Sequence, residues 1–480
     1  MLLLPSMNTI FYPISNYSRR IILLAIVLTS NELAARAQSF APVVTYSAGN
    51  FVAPLDVTLS DVNRDGNADI ITANGSANAA GVLLNNGNGT FRSVVQYSTG
   101  GSSFPQSVSA GDLNGDGFPD IVTANYIANS VSVLLNSGNG TFQSAVAYPT
   151  GSASAPYAVT TGDINADGKL DIVTANYNNN TVGLLQGNGN GTFQPIVTYS
   201  AGPATSPQSV AVADVNGDGQ PDVVTGNYFG NSAGVLLNDG FGSFQPIVLY
   251  TTGSNHTHRA VVSDVNSDNN PDIVVASFNN NSAGILLGNG NGTFQGVVSY
   301  PIGPNQYSYG VAVADVNSDA KADLIAVNGN SNAAQVLLGN GNGTFQPYRS
   351  FSTGAGTAPI AVAVADLNSD GKPDIVSANN STNAVSVLLN NSGTVSANRS
   401  RQALSDVQVY PTRATAHVTV RLSTARKLNA VLLEELGRPV RQYELLQQTN
   451  TIATDGLPRG LYLLRLAGQE GARTVRVMLE

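Results

Sequence analysis

The chain alternates short apolar runs with polar turns, and the alternation returns at a fixed spacing. In one unit, Ser107 to Asp112 alternates small and apolar residues, and an acidic loop leads into Asp120-Ile-Val-Thr-Ala-Asn125. Val131-Ser-Val-Leu-Leu135, a turn at Gly138-Asn-Gly140 and the run Phe142 to Tyr148 complete it. Period-two runs of this length, bounded by Asn-Gly and Pro-Gly-Ser clusters, predict four antiparallel strands. Asn-Gly between the third and fourth strands is a hairpin signal, because both residues tolerate positive φ. Asn139-Gly140-Thr141, which also fits a glycosylation sequon, is read as that turn.

The acidic loop, Asp-x-Asn-x-Asp with a further Asp four residues on, begins at Asp61, Asp112, Asp163, Asp214, Asp264, Asp315 and Asp366, at intervals of 51 residues with one of 50. Such regularity predicts a repeat architecture. Side chains are small in the first strand (Ala211-Val-Ala213), Leu-rich in the third and aromatic in the fourth. That gradient fits a wedge-shaped blade with little room near an axis, whereas a solenoid would need odd capping repeats. The last unit stops at Asn390-Asn-Ser-Gly-Thr394 without its Phe-containing strand, and Ser39-Phe40 to Tyr46 parallels Thr90-Phe91 to Tyr97. The expected fold is all-β: a seven-bladed β-propeller over 38–395, closed by its N-terminal strand so that no edge is exposed.

The loop Asp112-Leu-Asn-Gly-Asp-Gly-Phe-Pro-Asp120 sets side-chain oxygens at positions 1, 3, 5 and 9 and a carbonyl at position 7. Oxygen donors at that spacing suit a hard cation, Ca²⁺. The expected ligands are Asp61, Asn63, Asp65, Asn67 and Asp69; Asp112, Asn114, Asp116, Phe118 and Asp120; Asp163, Asn165, Asp167, Lys169 and Asp171. The later loops supply Asp214, Asn216, Asp218, Gln220 and Asp222; Asp264, Asn266, Asp268, Asn270 and Asp272; Asp315, Asn317, Asp319, Lys321 and Asp323; Asp366, Asn368, Asp370, Lys372 and Asp374. Up to seven Ca²⁺ are expected. Asn269 and Ala320 replace the position-6 Gly, and a left-handed Ala costs about 1 kcal/mol or more, so the site at Asp315 is the weakest. Position 12 is never Glu and a strand follows, which excludes an EF-hand. The alternative is a set of Asx turns capping strands.

Charge and composition narrow the chemistry. The loops hold 21 of the 31 acidic residues, and 39–395 carries a net charge of −16, which seven Ca²⁺ would nearly neutralise. There is no Cys, which excludes disulfides and thiol chemistry, and His is confined to His256, His258 and His417. No H-E-x-x-H, phosphate-binding Gly loop or basic aromatic-studded groove is present, so neither catalysis nor nucleic-acid binding is indicated. Residues 1–37 read as a signal peptide: Arg19-Arg20, an apolar run Ile21 to Leu28, and Ala35-Arg36-Ala37 before the cut. That run is short of the roughly 20 residues a membrane span needs, and no later segment predicts a transmembrane helix.

Composition changes after a Ser/Asn/Arg-rich linker, 396–405. In 406–480, Val407 to Pro411, Ala416 to Leu422, Ala430 to Leu433, Gly460 to Leu464 and Thr474 to Leu479 read as strands, and Leu436-Gly437-Arg438-Pro439 as a turn. A small Ig-like β-sandwich is expected.

With these residues in view, the repeat region resembles the FG-GAP/VCBS-type repeats of integrin-like β-propellers. That resemblance implies a Ca²⁺-binding loop between the first and second strands of each blade. The C-terminal segment resembles the type A sorting domain of the type IX secretion system, through Val-Tyr-Pro at 409–411, Leu436-Gly437, Gly460-Leu-Tyr462 and the basic last strand. Pro411-Thr412-Arg413 stands where that family has Pro-Asn-Pro. The resemblance implies export through the periplasm and outer membrane by the type IX machinery, and removal of the domain at the surface. An Ig-like binding module is the alternative.

The function expected is an exported, Ca²⁺-binding surface or secreted scaffold for adhesion or binding, its ligand a glycan or an extracellular protein. A polysaccharide-active enzyme and a passive surface protein are the alternatives. Recognition falls on positions that vary between similar blades. One precedes the first strand: Leu55, Gln106, Tyr157, Gln208, His258, Tyr309 and Ile360. A second follows the second strand: Tyr126, Tyr177, Tyr228 and Phe278. Tyr, Gln and His can stack on and hydrogen-bond a sugar. His256 and His258 are read as surface residues in preference to a metal pair.

Overall fold

A computed structural model describes residues 38–253, 255–303, 307–392, 407–414, 416–423, 427–434, 439–468 and 471–480. The signal peptide, the linker and most of the turn at Leu436 lie outside the described residues. Among the described residues no helix is long and apolar enough to cross a membrane. The chain forms two compact units, one of them Gln38–Ser392 and the other including Gly393–Glu480.

In the first unit, seven four-stranded antiparallel sheets follow one another as the blades of a propeller. Blade 2 is typical: Pro105–Gly111, Asp120–Asn125, Ser130–Leu134 and Val146–Pro149 pair in sequence order. The second and third strands of this blade are buried along their whole length, which follows from their runs of Ile, Val, Ala and Leu flanked on both faces by neighbouring blades. The fourth strand is shorter than the sequence run: Phe142 makes only an isolated bridge to Asn136 before the strand begins. Its ring turns inward instead, edge-on at 5.2 Å to Tyr97 of blade 1. The same Tyr–Phe contact joins blades all round the unit, and between blades 6 and 7 it becomes Phe351 against Phe40 at 4.8 Å.

Blade 7 takes its outer strand from the other end of the chain. Val44–Ser47 pairs antiparallel with Ala384–Leu388, and Phe40 bridges Asn390. First strands of neighbouring blades lie side by side, including Pro54–Ser60 of blade 1 against Pro359–Ala365 of blade 7. Asn residues in the turn after the second strand clasp the next blade. Asn129, at φ +54°, accepts a hydrogen bond from the backbone N–H of Ala155 at 2.9 Å. Asn78, Asn180, Asn231 and Asn332 accept likewise from the following blade, and Asn383 accepts from Ala53 of blade 1. Asn suits this place because its short polar side chain offsets the cost of a left-handed backbone.

The second unit is a small β-sandwich. Gln408–Tyr410, His417–Arg421 and Thr449–Ala453 form one sheet; Arg413–Ala414, Gly471–Leu479, Gly460–Gly468, Leu428–Glu434 and Pro439–Leu445 form the other, in that order. Alternating burial along His417–Arg421 sends Val418 and Val420 into a core with Leu432, Ile452, Leu464 and Val477.

Candidate functional site

The acidic loops do connect first and second strands, but their carboxylates are spent on the loop itself. In blade 2, Asp112 Oδ1 accepts from the N–H of Gly115 at 2.8 Å and Oδ2 from that of Gly117 at 2.7 Å. Asp116 Oδ1 accepts from Phe118 N–H at 2.8 Å and its Oδ2 from Asn114 Nδ2 at 2.9 Å. Asp120 is buried and turned away, accepting from Leu113 and Asn136 N–H groups at 3.0 and 2.7 Å. The last Asp of every loop makes this same pair of backbone bonds.

This corrects the expectation of up to seven Ca²⁺ ions, including the one at Asp315. Among the described residues, no three His, Cys, Asp or Glu side chains group so as to hold a metal ion. In three loops an ammonium instead sits by the position-5 carboxylate: Lys169 with Asp167, Lys321 with Asp319 and Lys372 with Asp370, at 3.3 to 3.7 Å. The arrangement is that of Asx turns locking strand ends. Asn269 and Ala320 take left-handed φ values of 66° and 63°, and their N–H groups still donate to Asp264 and Asp315. Burial raises the carboxyls of Asp69, Asp120, Asp222, Asp272 and Asp374 to about 6, and that of Asp323 to about 7; nearby loop carboxylates add to the rise, and the backbone N–H bonds oppose it.

The other end of the first strands opens on a cavity. All seven strand-leading residues singled out in the sequence, Leu55, Gln106, Tyr157, Gln208, His258, Tyr309 and Ile360, line one cavity of about 550 Å³. That volume is in the range of small-ligand sites. The second predicted set gathers at its mouth. Tyr157 lies 6.1 Å from Tyr126 and 5.9 Å from Tyr177, and Phe278 lies 5.0 Å from Tyr309. The aromatic residues after the second strand form an arc over blades 2 to 5 and are absent from the equivalent places Gly75, Gly329 and Asn380 of blades 1, 6 and 7. Blades built with Gly or Asn there pair their strands normally, so the rings are not required by the blade fold.

His256 and His258 are part of this arc and not plain surface residues. His256 stacks on Tyr228, centroids 4.3 Å apart and planes within 7°. His258 Nδ1 lies 2.9 Å from the carbonyl of Tyr309, so it donates and leaves the lone pair on Nε2. Desolvation pushes its pKa down to about 4, hence it is neutral near pH 7. Burial raises the Tyr157 and Tyr309 phenols.

Sequence reasoning missed an ion pair in the same cavity. Arg259 Nη1 donates to Asp56 Oδ1 at 2.7 Å, linking blade 5 to blade 1. The two residues hold the same place in their repeats, which Ser107, Ala158, Ser209, Gly310 and Ala361 hold elsewhere. Opposite charges at a position otherwise small were the available signal. Phe229 and Tyr307, both exposed, extend the arc and were also missed.

Comparison with known proteins places this architecture. The FG-GAP-like repeat matches residues 61–123, 112–174, 163–225, 214–275, 264–326 and 315–377, and the chain belongs to that family. A secretion system C-terminal sorting domain matches 408–480, so the chain carries a type IX sorting domain and is a secreted or cell-surface protein. No curated protein matches. Among solved structures, PorZ of Porphyromonas gingivalis, an essential surface component of its type IX secretion system, is 12% identical with a TM-score of 0.48; the match covers 92% of this chain and 61% of PorZ. A Lactobacillus plantarum protein is 10% identical, TM-score 0.46, covering 87% of this chain and 100% of its own. A putative 6-phosphogluconolactonase of Bacteroides uniformis is 15% identical, TM-score 0.48, covering 62% and 86%.

Proposed function

We propose that the propeller is an exported binding module that holds a glycan in its axial cavity. One observation carries this: the variable positions of seven blades converge on a single cavity, rimmed by aromatic rings that the blade fold does not require. Aromatic faces beside amide and imidazole groups suit sugars, which offer C–H faces for stacking and hydroxyls for hydrogen bonds. Asp56 is the one carboxylate in the described lining, which does not fit hydrolysis by paired carboxylates. The sorting domain supports delivery of this cavity to the cell surface or the medium, where polysaccharides are met. A glycan array probed with wild-type protein and with Tyr157→Ala tests the proposal. Binding to a restricted set of glycans, weakened about tenfold or more in the variant, is expected. An array without hits, or hits unaffected by the substitution, overturns it.

A further inference from the structure

The rings around the cavity continue beyond its lining. From Tyr157 they lead through Tyr177, at 5.9 Å, to Phe229, a further 6.2 Å on. From Tyr309 they lead through Phe278, at 5.0 Å, to Tyr307, at 4.6 Å and within 18° of parallel. Tyr228 joins the two branches, 5.0 Å from Phe229 and 6.0 Å from Phe278. Tyr157 and Tyr309 line the cavity, and the other five rings lie outside its lining. The arc is therefore unbroken from blade 3 to blade 6. On the side of blades 7 and 1, Asn380 and Gly75 stand where it would continue.

The outermost rings are those the blades need least. Phe229 is 55% exposed and Tyr307 43%. The place of Phe229 is taken in other blades by Ser76, Ile127, Asn178, Asn279, Asn330 and Ser381, five of them polar. The place of Tyr307 is taken by Ala53, Ala155, Ser206 and Ala358, and by a ring only at Phe104 and His256. His256 holds its ring there at φ +72°, a left-handed backbone that a bulky side chain enters at a cost. Exposed rings that are contiguous, where the same turns elsewhere carry Asn, Ser or Ala, mark a contact surface. That surface is continuous with the cavity, and it presents faces on which a sugar can stack. A pyranose and a phenyl ring are of similar size. A ligand that touches Tyr157 in the cavity and also Phe229, two ring contacts away, is longer than one sugar unit.

We infer that the glycan extends from the cavity along this arc, so that the site takes a run of several sugar units, the outer ones stacked on Phe229 and Tyr307. This rests on the glycan reading above and adds the length of the ligand and the residues that hold its outer units. The test measures affinity of the full chain for ladders, disaccharide to hexasaccharide, of cello-, xylo-, manno-, malto- and chito-oligosaccharides, and of any polymer whose fragment binds on the array. In a ladder that binds, affinity is expected to rise about tenfold or more from the shortest binder to the longest. Phe229→Asn and Tyr307→Ala put in residues that other blades carry. Each is expected to weaken the longest member about two- to tenfold and to leave the shortest binder unchanged, whereas Tyr157→Ala weakens every length. Phe229→Tyr keeps a ring and is expected to keep the gain with length, which separates stacking from any loss of folding in the Asn variant. Affinity that does not change with length, or a loss in the Phe229 and Tyr307 variants that is absent or equal at every length, overturns the extension while the glycan reading stands. Loss of the gain in a Phe229→Tyr variant that melts like wild type overturns it as well. No binding in any ladder would remove the glycan reading, and this inference with it.

Discussion

Replacing Phe40 by Ala removes the side chain through which the N-terminal segment enters the last blade. Phe40 sits edge-on to Phe351 with ring centroids 4.8 Å apart and an interplanar angle of 75°. Burying and then truncating a Phe costs about 3–5 kcal/mol in a closed core. Phe40 is only partly buried, while its counterparts Phe91 and Phe142 are 8% and 9% exposed, so a smaller loss of about 2 kcal/mol is expected, with the edge-to-face contact supplying about 0.5–1.5 of it. The loss should be local. Ala384–Leu388 receives its outer pairing from Val44–Ser47, and with the anchor gone that strand opens more often. Urea titration of the full chain gives the global cost, and amide exchange over 384–388 gives the local one. Phe142→Ala is the internal comparison, expected to cost about 3 kcal/mol or more. If Phe40→Ala leaves both stability and exchange unchanged while Phe142→Ala does not, the N-terminal segment does not complete blade 7.

Other outcomes follow from named contacts. The last carboxyls of six loops sit at about 6 to 7 against an ordinary 3.8; the folded state therefore holds protons more tightly, and stability present near pH 4 is lost as pH rises through 6 to 7, by about 3 kcal/mol for each group near 6 and about 4 kcal/mol for Asp323. His258, lowered to about 4, acts in the opposite sense, losing stability as pH falls below 6.5, but six aspartates outweigh one histidine. Melting temperature in metal-free buffer should thus be higher at pH 5 than at pH 7.5, and the reverse order would refute the environment assigned to these carboxyls. Asn129→Ala should cost about 2 kcal/mol, from the lost bond to Ala155 and a left-handed Ala, and Asn129→Gly about half of that; equal costs in urea titrations would mean that backbone strain plays no part. A chain ended at Ser392 should stay in the periplasm of its host while the full chain reaches the surface or medium; fractionation with antibodies to each unit decides this.

The repeat made the blades legible because strand alternation, Asn-Gly hairpins and a 51-residue interval all point the same way. The cavity was legible only as two sets of variable positions. That Tyr157 and His258, blades apart, come within 6.0 Å of each other depends on all first strands facing one axis. Asp56 and Arg259 escaped notice because each looks like an ordinary charge within its own repeat; their meaning lies in the pairing across the ring. The metal assignment failed for a related reason. Oxygens at positions 1, 3, 5 and 9 have the same spacing whether they meet a cation or the loop's own N–H groups. Asp120 pairs with Leu113 and with Asn136, sixteen residues on, and that second contact exists only once the third strand has folded back. The lysines at position 7 were visible in the sequence, but their reach back to the position-5 carboxylate was not.

Titration calorimetry of the full chain with the strongest array glycan tests the central claim most directly, because stoichiometry separates an axial site from a repeated one. One cavity on the axis predicts one equivalent per chain, with heat lost in both Tyr157→Ala and Tyr228→Ala and kept in Tyr250→Phe, whose ring packs against Phe294 between blades 4 and 5, away from the cavity. Several equivalents per chain, or undiminished heat in the variants of the lining Tyr157 and the rim Tyr228, would place binding on the individual blades and contradict the account.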